Sequence, residues 1–76
     1  MMYDRITVDP AVMVGKPCIK GTRITVDLIL RKFAAGETEA DLLVGYPHLS
    51  REDIRQALAF AADFLTDGDI ELALPR

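Results

Sequence analysis

Ten consecutive residues, GKPCIKGTRI at positions 15 to 24, gather two glycines, a proline, two lysines, an arginine and the chain's single cysteine. Side chains of these types can grip a phosphate, hold a metal, cycle a thiol or turn a chain. A Walker-type phosphate loop needs Gly-Lys followed by Ser or Thr and a helix opening directly from the loop. Pro17 stands in that place, which sets nucleotide binding aside. One cysteine and one histidine, His48, fall short of a four-ligand zinc site, and Cys18 has no second cysteine to pair with, as suits a reducing cytoplasm. Gly21 supplies a positive-φ turn position flanked by Lys20 and Arg23, two donors able to hold one DNA phosphate. A purely structural turn accounts for the same residues more simply.

A second group of chemically capable residues lies at positions 51 to 56. Arginine pairs with guanine and glutamine with adenine in the major groove, so Arg51, Arg55 and Gln56 are the right types for a recognition helix that reads bases with its N-terminal residues. Glu52 and Asp53 oppose that reading, and an ordinary solvated helix face explains the spacing equally well. His48, next to Pro47, is expected at the surface or in a cap. Asp67, Asp69 and Glu71 lack the twelve-residue ligand spacing of a calcium loop and read as an acidic, solvated tail. No nucleophile–base pair or acid pair is visible, so neither catalysis nor a cofactor is expected.

The elements that must position these groups follow from periodicity. RITVD alternates as a strand, Asp9-Pro10 ends it, and Cys18-Ile19 and Arg23-Ile24 offer further extended pieces, giving a β-like arm over residues 1–24. From Thr25, an N-cap residue, Val26, Ile29, Leu30 and Phe33 repeat with helical spacing up to a stop at Gly36. Thr38 and Asp41 frame a second, short helix in the manner of a capping box, halted by Gly45, Tyr46 and Pro47. Ser50 and Asp53 open a third, expected over about 51–65. Its buried stripe is Ile54, Ala57, Leu58, Ala61, Phe64 and Leu65, with Glu52, Arg55, Gln56, Ala59 and Asp63 facing away and Phe60 at the edge. The division is a single domain: arm 1–24, three-helix core 25–66, and tail 67–76, in which Ile70, Leu72 and Leu74 alternate with other residues.

A chain of 76 residues supports one small core, since folding at this size buries only about 60% of the unfolded surface. Half the residues are hydrophobic. Leu28, Phe60, Ile70, Leu72 and Leu74 exceed what three short helices cover, so a homodimer is expected. No apolar run is long enough to span a membrane and no export signal opens the chain; a soluble cytoplasmic protein is expected. The net charge is −3, yet residues 1–32 carry six basic against three acidic side chains and residues 33–76 three against nine. Anionic partners should favour the first part and cationic partners the second.

RITVDP, GKPCIKGTRI, a helix ending in AAGET and LLVGYPHLSREDIRQALAFAADFL together resemble the domain-of-unknown-function family numbered 433, over nearly the whole chain. The family's turn signature falls on Gly15, Pro17, Ile19, Gly21, Thr22 and Arg23, and its YPHL turn on Tyr46, Pro47, His48 and Leu49. The resemblance implies a mostly α fold, a three-helix homeodomain-like helix-turn-helix with a short N-terminal β-like arm and a short extended C-terminal tail. It also implies a VapB-like antitoxin paired with a PIN-like ribonuclease toxin. On that reading Lys20, Arg23, Arg51, Arg55 and Gln56 are the DNA-binding candidates. Ile70, Leu72, Leu74 and Arg76 are the toxin-binding candidates, Arg76 or Arg23 entering an acidic nuclease site. The alternative is a DNA-binding regulator with no toxin.

Overall fold

The computed structural model describes residues 3–67, in which two two-residue strands, β1 (Ile6–Thr7) and β2 (Cys18–Ile19), precede three helices, α1 (Val26–Ala34), α2 (Glu39–Gly45) and α3 (Arg51–Asp67). Each helix begins where the sequence supplies a cap. The Thr25 side chain accepts from Leu28 N, and Thr38 and Asp41 close a reciprocal capping box on α2. Ser50 and Asp53 do the same on α3: Ser50 N donates to Asp53 Oδ2 at 3.0 Å and Asp53 N to Ser50 Oγ at 3.1 Å. Gly36, at φ +94°, turns the chain out of α1 where a side chain would be strained.

The two-residue β2 is stitched on both sides. It pairs antiparallel with β1 in the register Ile6↔Ile19 and Thr7↔Cys18, and Cys18 bridges to Thr25 beyond the KGT turn. Ile19 N donates to Ile24 O at 2.9 Å and Val26 N to Pro17 O at 2.9 Å, so the return from the turn leads straight into α1. Cys18 and Ile19 thereby sit against the helices, fully buried, and the core runs from Ile19 through Val26, Ile29, Leu42, Leu49, Ile54 and Ala57. Cys18 is a packed core thiol whose Sγ lies 3.3 Å from Lys16 O. Burial of this kind makes a cysteine inert.

The stripe expected on α3 needs correction. Ile54 and Ala57 are buried and Ala61 is half-buried, but Leu58, Phe64 and Leu65 are 42%, 67% and 55% exposed. Helices α1 and α2, of nine and seven residues against seventeen, do not cover the whole stripe, and Phe64 and Leu65 line an open groove beside α1 instead of a packed contact. The arm covers the neighbouring face instead: Tyr3 meets Phe60 edge-on with ring centroids 5.5 Å apart, and its hydroxyl donates to Asp63. Gln56 and Asp63, expected to face away from the core, contact the arm. Met13 and Val14 also depart from expectation, both lying in the left-handed region at φ +50° and +57° ahead of Gly15 at +81°.

Candidate nucleic-acid interface

The KGTR turn is built by its own side chains. Thr22 N and Thr22 Oγ1 both donate to Ile19 O, at 3.0 and 2.8 Å, while Thr22 Oγ1 accepts from Ile24 N at 3.0 Å. Gly21 stands at φ +77°, a value that L side chains rarely adopt. Lys20 and Arg23 flank this turn with exposed side chains. Among the described residues neither has an acidic group at ion-pair distance. Arg23 borders an open groove with Thr7, Asp9, Gly21 and Thr22 in its walls; the Asp9 carboxylate there disfavours an anion, so Lys20 is the better placed of the two for a phosphate.

The second candidate surface is the first two turns of α3. After α2 ends at Gly45, Tyr46 N donates to Leu42 O and Leu49 N to Tyr46 O, both at 2.9 Å, and Leu49 drops into the core. This anchored turn fixes the start of α3, with His48 exposed on it. The Arg51 and Arg55 side chains point outward, 81% and 78% exposed, each near one carboxylate: Arg51 Nε to Glu39 at 3.7 Å and Arg55 to Glu52 at 2.6 Å. Exposed pairs of this kind contribute only about 0–1 kcal/mol, so both guanidinium groups can exchange a carboxylate for a phosphate or a base edge at little cost.

Gln56 is differently placed. Its Oε1 accepts from Arg5 N at 2.8 Å, and its Nε2 donates to Asp4 at 2.7 Å and Glu52 at 2.9 Å. The amide is occupied by the arm. Hydrogen bonds from Gln56 and then Arg55 hold the Glu52 carboxyl below its ordinary range.

Beneath this surface lies a pair that sequence reading missed. Arg5 Nε donates to Asp53 Oδ1 at 2.6 Å, and the Asp53 side chain is 1% exposed. Burial alone pushes the Asp53 carboxyl up. The hydrogen bond from Arg5 and those from Ser50 outweigh it and leave the carboxyl below the usual range, while the same contact raises Arg5. Arg5 O in turn accepts from Lys20 N at 2.8 Å. One arm residue therefore joins the KGTR turn to the start of α3, bringing Lys20 and Gln56 into one assembly. The available signal was Asp53 itself, a carboxylate directly beside the buried Ile54 and in need of a cation. The other candidates, Ile70, Leu72, Leu74 and Arg76, and the tail carboxylates Asp69 and Glu71, lie outside the described residues.

Known proteins resemble this chain in sequence and fold. Residues 6–61 match the family described as "Protein of unknown function (DUF433)". An uncharacterized protein of Archaeoglobus fulgidus is 64% identical over 28 residues, covering 37% of this chain and 78% of its own. The crystal structure of a DUF433 member protein from Anabaena variabilis superposes with a TM-score of 0.80 at 29% identity, over 87% of this chain and 65% of that one. The chain thus spans less than two thirds of the Anabaena variabilis protein's length.

Asp53→Ala removes both a cap and the partner of a cation, and is expected to cost about 2–4 kcal/mol in urea or thermal unfolding. Because the folded carboxyl sits below its unfolded value of about 3.9, its stabilisation is complete above that pH and is lost as pH falls through the lower folded value. The Asp53→Asn protein should therefore lose less stability than the native protein on acidification below about pH 4, measured by urea unfolding across that range.

Proposed function

The chain belongs to the DUF433 family, and on that premise we propose that it is an antitoxin-like binding protein, neutralising a PIN-like ribonuclease by direct contact and binding its operator DNA through a helix-turn-helix formed by α2, the Tyr46–Ser50 turn and α3. The observation that supports this reading best is the presentation of Arg51 and Arg55 on the first two turns of α3, outward and paired only with surface carboxylates. A recognition helix offers its N-terminal residues to the major groove in this way. The nuclease partner and the homeodomain-like assignment rest on what the family resemblance of the GTR and YPHL turns implies, a VapB-like antitoxin.

In this proposal the roles divide. Arg51 and Arg55 read bases, Lys20 contacts a phosphate, and Arg23 is a second donor on the same turn. Gln56 holds the arm, and reaches a base only by giving up its bonds to Arg5 and Asp4. The acidic groups Glu39 and Glu52 keep the affinity of a single chain low, which suits a regulator whose binding strengthens when two chains or a partner add contacts. The apolar Ile70, Leu72 and Leu74, with Arg76, remain the proposed nuclease contacts: alternating apolar residues suit a sheet edge or groove, and an arginine suits an acidic metal-binding site.

Titration of duplexes from the protein's own promoter region at two salt concentrations tests the DNA role. Arg51→Ala and Arg55→Ala should each weaken specific binding by about 1–3 kcal/mol, and Lys20→Ala should weaken all sequences alike and flatten the salt dependence. Equal, salt-insensitive binding of every duplex by all four proteins would remove the helix-turn-helix role. Nuclease inhibition by a chain lacking residues 69–76 tests the other half. A folded, truncated protein is expected to lose inhibition by tenfold or more, roughly 1.4 kcal/mol; undiminished inhibition would move the contact to the helices or to the KGTR turn.

A further inference from the structure

An apolar groove of about 480 Å³ opens between α1, the C-terminal half of α3 and the chain around Pro17, walled by Val26, Leu30, Phe60, Ala61, Phe64 and Leu65. Among the described residues Asp27 is the one charged residue in its lining, and its carboxylate is held by Arg31 at 3.2 Å. Gly15 forms part of the rim, and next to it Val14 stands 94% exposed. Met13, Val14 and Gly15 are three successive left-handed residues. That conformation costs on the order of 1–3 kcal/mol at a β-branched position, and a side chain so exposed recovers almost nothing by packing within its own chain. The strain holds an apolar projection beside an apolar recess.

We propose that this face is a two-fold interface between two copies of the chain, the Val14 turn and the Phe64–Leu65 end of α3 of each copy meeting the groove of the other. An isologous contact requires that one patch carry both a projection and its complement, as this one does. Its near lack of charge matches neither a phosphate backbone nor the acidic centre of a nuclease. Its extent suits the apolar centre of such a contact: Val8, Val14, Leu30, Phe64 and Leu65 are 59%, 94%, 37%, 67% and 55% exposed, and a standard interface of ~800 Å² per partner surrounds a centre of this kind with polar residues. Leu28, expected among the contacts, is half-buried and stands outside the groove lining, whereas Phe60 lines it. The inference does not depend on the DNA or nuclease roles.

Sedimentation equilibrium of the full chain from low to high micromolar concentration tests it, with Phe64→Glu, Val14→Gly and, as a control on α2, Val44→Asp at an exposed site outside the groove. The expected result is a dimer whose dissociation constant rises at least about tenfold with either groove variant and is unchanged by the control. Val14→Gly excludes misfolding as the cause, because glycine relieves the left-handed backbone and should raise the melting temperature of the monomer while weakening the dimer. A native chain that stays monomeric at high micromolar concentration overturns the proposal, as does a dimer that Val44→Asp weakens as much as Phe64→Glu. A native monomer that dimerises only after deletion of residues 69–76 likewise overturns it, by making the chain's own C-terminal segment the occupant.

Discussion

A carboxylate buried among aliphatic side chains must be paired, and the Asp53 carboxylate at the foot of α3 imposes that requirement on the whole chain. One oxygen accepts from Ser50 N and so starts the helix; the other accepts from Arg5, 48 positions earlier. Removing the cation would leave a buried charge uncompensated, a far larger penalty than the net value of the pair itself. The arm therefore lies across α3 because Asp53 needs Arg5 there. The backbone of Arg5 then bonds Gln56 on one side and Lys20 on the other, so the position of the KGTR turn follows from the same contact.

With the arm fixed, three short helices acquire enough cover. Cys18 and Ile19 close the core from above α1 and α3, and Tyr3 shields Phe60. The arm's contacts along α3, with Tyr3 on Phe60 and Asp63, leave Phe64 and Leu65 exposed on the groove. Polar and apolar features are distributed unevenly along α3: Arg51 and Arg55 stand exposed on its first two turns, while the largely apolar groove lies toward its other end.

Local chemistry was legible in the sequence and long-range pairing was not. Thr25, Thr38 and Ser50 act as the caps their types and spacing indicate, and Gly21 and Gly36 occupy the left-handed positions that turns demand. The reading of Asp53 was half complete: its spacing from Ser50 announced the capping box, but spacing carries no information about Arg5. Leu58, Phe64 and Leu65 satisfy the helical period as well as Ile54 and Ala57 do; period states which residues share a face, and the lengths of α1 and α2 decide how much of that face is covered. Gln56 looked free because nothing local marks the arm's arrival. Met13 and Val14 carry no sequence signal for a left-handed backbone at all, since both types ordinarily avoid it.

Native-state hydrogen exchange is the most direct measure of whether Arg5 and Asp53 bind the arm into the fold. If they do, the Lys20 amide, bonded to Arg5 O, and the Arg5 amide, bonded to Gln56, exchange through the same opening as the Ile54 amide within α3, and Asp53→Asn accelerates both arm amides more than it accelerates Ile54. Arm amides that exchange freely in the native protein while Ile54 remains protected would contradict the account, since the helices would then stand without the arm.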